Sequence, residues 1–169
     1  MRLFCTSRGE RGGSEVVYEL LEYAYKLDHG SALPAIKKTP NGKPYFPDRL
    51  DVHFSLSHCR THVLCALSEH PVGVDIESPR QISQRALKFF STEEELALFD
   101  PLDLWVLKES YIKLYGGILV NVRTIRFSRT GKHIIAPDDS AVSMLYRIGD
   151  CHAAVSCMGE ILLDCVEML

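Results

Sequence analysis

Two short segments concentrate the residues able to do chemistry. In Val72-Gly73-Val74-Asp75-Ile76-Glu77, Asp75 and Glu77 alternate with Val74 and Ile76. A strand here sets two carboxylates on one face and two β-branched side chains on the other. In Trp105-Val106-Leu107-Lys108-Glu109-Ser110-Tyr111-Ile112-Lys113, Glu109 and Lys113 stand four apart and share one helix surface. Glu109 also follows Trp105 by one turn, near Leu104, Leu107 and Tyr111, where a carboxylate is partly desolvated and needs a partner. Brought together, three carboxylates and a lysine suit a hard divalent cation gripping a polyphosphate. Magnesium takes few protein ligands, mostly carboxylate oxygens, and completes its octahedron with water and phosphate oxygens. The lysine then meets a phosphate as a point charge.

Each residue also has a plainer structural reading. Asp75 and Glu77 suit the solvated face of a strand, and Glu109 with Lys113 suits a helical ion pair worth about 0.3 to 0.5 kcal/mol. Glu94 follows Ser91 at capping-box spacing. Phe54-Ser55-Leu56-Ser57-His58-Cys59 ends a strand with a hydroxyl and an imidazole. As neighbours on a strand, Ser57 and His58 point to opposite faces, which argues against a Ser–His nucleophile. They read either as a phosphate-binding edge or as a capping serine beside a surface histidine. Lys43, after the Asn41-Gly42 turn, is by default an ordinary hairpin charge.

The elements that must position these residues follow from pattern. Arg2 to Thr6 reads as a strand, and Arg8 to Gly13 as a basic, glycine-rich loop. A helix from a Ser14 cap to about Asp28 carries Val17, Leu20, Leu21, Ala24 and Leu27 on one side, with Gly30 as terminator. Val52–Ser57, Val63–Leu67 and Val72–Glu77 read as strands with connections short enough for antiparallel pairing. After Pro79 come helices, one beginning at Asp100-Pro101 and ending at Gly116-Gly117. Strands follow at Thr124–Ser128, His133–Ala136, Val142–Ile148 and Ala153–Met158. The order predicts an α+β fold in two halves of related plan.

Bulk properties narrow the class. The 169 residues suffice for a real core, and 46% hydrophobic with 24% charged residues is ordinary globular composition. A net charge of -3 lacks the basic field of a general nucleic-acid binder. No apolar run reaches membrane-spanning length, and the first residues do not make a signal peptide. The six cysteines show no C-x-x-C spacing and read as buried reduced thiols of a cytoplasmic protein. The scattered histidines give no familiar transition-metal motif.

Taken in order, Asn41-Gly42-Lys43-Pro44-Tyr45-Phe46, Phe54-Ser55-Leu56-Ser57-His58, Val72 to Glu77, Phe89-Phe90-Ser91 and Trp105 to Gly116 resemble the 4'-phosphopantetheinyl transferases of the surfactin-synthetase-activating type. The resemblance covers Pro40 to Gly116 and continues more loosely beyond. It implies Mg2+-dependent transfer of the 4'-phosphopantetheine arm of coenzyme A to a serine of an apo acyl or peptidyl carrier protein, releasing adenosine 3',5'-bisphosphate. Carried over by motif, Asp75, Glu77 and Glu109 are the metal ligands, and Lys113 is the lysine on the pyrophosphate. Lys43, Ser57, His58 and Lys108 are coenzyme A contacts. Glu109 is the preferred general base, with Glu94 the alternative.

The resemblance further implies two pseudo-twofold halves of mostly antiparallel sheets packed with helices. Residues 1–78 form a shortened first half and 79–169 the second, with the active site in the cleft between them. It implies a monomer without nucleic-acid or membrane partners. The carrier is expected beside residues 94–100, with Phe89, Phe90, Leu98 and Phe99 as apolar candidates and Lys88 and Lys113 as positive ones; each aromatic also has a core reading. The short N-terminal half leaves Arg8 and Arg11 to replace missing basic contacts. The other reading is a catalytically impaired relative that binds coenzyme A or a carrier.

Overall fold

In the computed structural model, residues 1–117, 122–159 and 166–168 are described. Strand β1 (Arg2–Ser7) leads to helix α1 (Gly13–His29), then to the short strands β2 (Lys37–Lys38) and β3 (Pro44–Tyr45). Strands β4 (His53–His58), β5 (His62–Ser68) and β6 (Val72–Glu77) precede helices α2 (Gln84–Phe90), α3 (Glu93–Leu98) and α4 (Pro101–Leu114). A 3-10 turn at Val122–Thr124 is followed by β7 (Ser128–Thr130), β8 (His133–Ile135), β9 (Ala141–Ile148), β10 (Cys151–Met158) and β11 (Val166–Met168).

The two larger sheets run β11-β1-β5-β4 and β6-β10-β9, antiparallel except for the β1–β11 pair. This is the α+β class expected. Strand alternation builds the layers. Leu3, Cys5, Leu64 and Ala66 of the first sheet meet Val72, Val74, Ile76, Ala153 and Val155 of the second. On the first sheet's other face, Phe4, Val63 and Cys65 pack against Val17, Leu20, Leu21 and Ala24 of α1. On the second sheet's other face, Ala154 joins Leu104, Leu107 and Ile112 of α4. The order is therefore helix, sheet, sheet, helix.

Several local expectations need correction. Strand β6 does not pair with β5, despite the short connection; it crosses to the second sheet, with Val74 opposite Val155. Helix α1 is not capped by Ser14: Gly12 is the N-cap and offers no side-chain hydrogen bond. The capping box lies one residue later than expected, with Thr92 and Glu95 exchanging bonds rather than Ser91 and Glu94. Residues 124–127 are not strand, and β7 begins only at Ser128. The Phe127 N–H instead donates to Glu95 Oε1 at 3.1 Å. Phe90 and Phe99 are core residues, whereas Phe89 and Leu98 are exposed. The start of α4 is as expected: Asp100 Oδ1 accepts the Leu102 N–H at 2.8 Å, with Pro101 in the first turn.

Candidate active site

Gly73 brings the two motifs together. A Cβ at this position would stand 2.0 Å from the Ser110 carbonyl oxygen and 2.4 Å from the Leu114 nitrogen. Helix α4 thus lies backbone against backbone on β6, and only glycine admits that approach. The face of β6 carrying Gly73, Asp75 and Glu77 meets α4, while Val72, Val74 and Ile76 enter the core between the sheets. The alternation expected of this strand is present. A buried serine chain, Ser110–Ser156–Ser143 at 2.9 and 2.8 Å, holds α4 to β10 and β9.

The free edge of β6 meets β4 without a strand ladder. Ser55 Oγ accepts the Val74 N–H at 3.0 Å, and Ser57 Oγ accepts the Ile76 N–H at 3.3 Å. Two hydroxyls thereby satisfy backbone donors that would otherwise be orphaned. Ser57 Oγ also donates to Asp75 Oδ1 at 2.8 Å. Lys113 Nζ donates to the same oxygen at 2.7 Å and to Ser57 Oγ at 3.1 Å. Asp75, Ser57 and Lys113 form one polar knot joining β6, β4 and α4.

The other carboxylate oxygens are left open. Asp75 Oδ2 and Glu109 Oε1 are both buried without a hydrogen-bond partner. Burial, with Asp75 and Glu77 nearby, pushes the Glu109 carboxyl up to about 7, against an opposing pull from Lys113. Glu77 is half-buried and pairs with Arg80 at 3.3 Å. Buried carboxylate oxygens without a partner, close enough to repel one another, are oxygen donors of the kind a hard cation such as Mg2+ takes.

Beside the knot opens a cavity of about 300 Å³, lined by Lys38, Asn41, Lys43, Ser55, Lys113 and Gly116 among others. Lys43 reaches inward, donating to the Leu114 carbonyl at 2.8 Å and the Val72 carbonyl at 3.2 Å. It caps the end of α4, and burial lowers its amino group to about 8. His58 stands at the end of β4 with its ring over Gly13, where an added Cβ would fall 2.6 Å from the imidazole Cγ. His58 therefore neighbours the N-terminus of α1. Arg8 donates to the Cys59 carbonyl at 3.4 Å, while Arg11 is engaged by Glu15 and Glu19 of α1.

Two sequence-derived candidates lie apart from this cluster. Lys108 has no exposed surface; its Nζ donates to the Phe90 carbonyl at 2.6 Å and Glu95 Oε2 at 2.9 Å. A lysine so enclosed cannot touch coenzyme A in this conformation. Glu94 sits exposed on α3, its carboxyl held low by backbone and Thr92 hydrogen bonds. Sequence reasoning missed Glu95, which anchors Lys108, Arg126 and the Phe127 N–H. Its signal was a second capping-box spacing, Thr92 to Glu95, one residue after Ser91 to Glu94.

Residues 71–152 match the family model of the 4'-phosphopantetheinyl transferase superfamily. The chain is 32% identical over 141 residues to 4'-phosphopantetheinyl transferase Sfp of Bacillus subtilis (strain 168), covering 76% of this chain and 62% of that protein. It is 39% identical over 90 residues to 4'-phosphopantetheinyl transferase gsp of Aneurinibacillus migulanus, covering 47% and 37%. With enterobactin synthase component D of Escherichia coli (strain K12) it shares 39% identity over 66 residues, covering 39% and 28%. The chain thus spans less than two thirds of the length of each of these relatives.

Proposed function

The chain belongs to the 4'-phosphopantetheinyl transferase superfamily, with Sfp-like relatives, and from that premise we propose that it transfers the 4'-phosphopantetheine group of coenzyme A to a serine of an apo carrier protein. The observation that carries this reading is the pair of buried, unpartnered oxygens, Asp75 Oδ2 and Glu109 Oε1, beside Lys113. Asp75, Glu77 and Glu109 would hold Mg2+, which when bound polarises the pyrophosphate and neutralises charge on the leaving group. The chain's own task is alignment and charge neutralisation.

Lys113 lies where it can pass between Asp75 and a substrate phosphate. Glu109 would accept the proton of the carrier serine, directly or through a water. The serine oxygen bonds to the β-phosphorus, the phosphoanhydride bond breaks, and adenosine 3',5'-bisphosphate leaves. Lys43 and His58 are the proposed phosphate contacts of coenzyme A, and Ser57 orients Asp75 and Lys113. The cleft between residues 1–78 and 79–169 would hold the substrate, in a cytoplasmic monomer. Exposed Phe89, Leu98 and Lys88 supply the proposed carrier-facing surface.

The alternative, a binding protein without catalysis, is disfavoured because all three carboxylates and Lys113 are present. Incubation with coenzyme A, Mg2+ and a panel of apo carrier proteins, read by intact mass, separates the two. Wild type should add one phosphopantetheine arm. Asp75→Ala should lower the rate by at least about 10²–10³-fold, the scale of losing one charge-stabilising group, with the fold retained. Coenzyme A binding without any mass gain across the panel would favour the binding reading.

A further inference from the structure

A second donor cluster lies at the rim between the sheets, away from the carboxylates facing α4. Cys59 follows β4, His62 begins β5 and Cys151 begins β10. Their Sγ and ring-nitrogen atoms all fall within 4.8 Å of one another. Cys59 Sγ and Cys151 Sγ are 3.7 Å apart, and Cys151 Sγ lies 3.6 Å from His62 Nδ1. Both sulfurs are buried and free, while His62 is half-buried. Two elements of the first sheet and one of the second thus converge on a single point.

The spacings are those of a tetrahedral metal site. Zinc–sulfur bonds of about 2.3 Å and zinc–nitrogen bonds of about 2.0–2.1 Å, opened at the tetrahedral angle, give edges of about 3.8 Å (S–S) and 3.5 Å (S–N). The Cys59–Cys151 and Cys151–His62 edges, 3.7 and 3.6 Å, agree with these values. A disulfide needs its sulfurs at about 2.05 Å, far closer than the 3.7 Å here. Thr61 Oγ1 lies on the same group, 2.9 Å from His62 Nδ1, 3.3 Å from Cys151 Sγ and 3.7 Å from Cys59 Sγ. Being exposed, Thr61 marks the side on which a water can complete the coordination. Buried Ser78 Oγ lies beside both cysteines.

We propose that Cys59, His62 and Cys151 form a binding site for a thiophilic divalent cation of the zinc class, pinning the β4–β5 turn to the start of β10. Both cysteines bind as thiolates and their two protons leave to solvent, while His62 binds neutral through Nδ1. Two thiolates, one neutral imidazole and a divalent ion sum to zero charge, which suits a buried position. The hard carboxylate set around Asp75 and this soft set select different metals. The site is independent of the transferase reading.

Titration of the full reduced, chelator-stripped chain with Co2+ tests the site, because thiolate-bound tetrahedral cobalt shows sulfur-to-metal charge transfer and strong visible bands. Wild type should take up one Co2+ with both signatures, and Zn2+ should displace it. Cys59→Ser and Cys151→Ser should each lose the charge-transfer intensity and weaken Zn2+ binding beyond the roughly 10–100-fold cost of an outer-shell change. Asp75→Ala should leave the cobalt spectrum unchanged. Absence of the charge-transfer band in folded, reduced wild type would overturn the site. So would an unaltered spectrum in both cysteine variants, or a Cys59–Cys151 disulfide that re-forms in preference to Zn2+ uptake.

Discussion

Helix α4 carries two lysines five residues apart, and each meets a carboxylate in a different way. Lys108 and Glu95 are both buried, at 0% and 3% side-chain exposure, and both Glu95 oxygens are partnered. Lys113 is 31% exposed, and its partner Asp75 keeps one oxygen unpaired. The first pair is closed and fastens α4 to α3 and to the segment before β7. The second is open toward the cavity. A buried charge pair with all its bonds made is structural; one with bonds to spare is ready for a ligand.

The comparison breaks most visibly through Lys108→Ala. Removing Lys108 leaves buried Glu95 with the more exposed Arg126 as its remaining cation, so the stability loss should be about 3 kcal/mol, the low end for breaking a buried pair. Asp75→Ala deletes an acceptor of Ser57 and Lys113 but relieves repulsion on Glu109, so stability should stay within about 1 kcal/mol. Denaturant midpoints measure both. Equal losses would abolish the distinction.

Gly73→Ala tests whether the open pair depends on close backbone approach. The added methyl meets backbone atoms that cannot swing away, so a cost of about 1–3 kcal/mol is expected, with α4 displaced. Transfer should fall further than stability alone explains, because Glu109 and Lys113 move off Asp75. Full activity with an unchanged midpoint would show that α4 needs no such contact.

Glu109 gives the next smaller effect, through pH. Its folded-state value of about 7 stands above the ordinary 4.5, so the folded chain keeps this proton to higher pH than the unfolded one. The associated stability is fully present below about 4.5 and is lost as pH rises through about 7. Glu109→Gln should therefore remove part of the decline between those values, by on the order of 1–2 kcal/mol after screening. Thermal melts of both proteins in chelator across that window measure it, and Mg2+ should offset the decline in wild type alone. Parallel melting curves would place the strain elsewhere.

The smallest effect is expected at Glu94. As an exposed residue outside the carboxylate cluster, Glu94→Ala should leave both melting and transfer unchanged. A large loss of transfer with intact coenzyme A binding would move the proton acceptor from Glu109 to Glu94.

Much of this contrast was legible in sequence. Alternation in β6 gave the carboxylate face, and the spacing of Glu109 and Lys113 gave the helix surface. The burial of Lys108 could also have been read, since it stands four residues from both Leu104 and Ile112 on the apolar stripe. Other features depended on distant partners. Ser91 and Thr92 each precede a glutamate at capping spacing, and Glu95 prevails because Lys108, Arg126 and Phe127 hold it. Phe127 escapes its expected strand for the same reason: its N–H already has a carboxylate. Cys59-x-x-His62 was present as a spacing, but its third member lies 89 residues beyond His62, a separation that only sheet pairing closes.

The serine contacts between β4 and β6 have a consequence for amide exchange. The Val74 and Ile76 N–H groups are held by the Ser55 and Ser57 side chains rather than by another strand's carbonyls. Rotation of one hydroxyl frees one amide, without breaking a ladder and without global unfolding. These two amides should exchange deuterium faster than the β6 amides bonded to β10, and Ile76 should slow most when a ligand immobilises Asp75, because both share Ser57. The seam is thus a built-in reporter, at backbone resolution, of whether the polar knot is occupied.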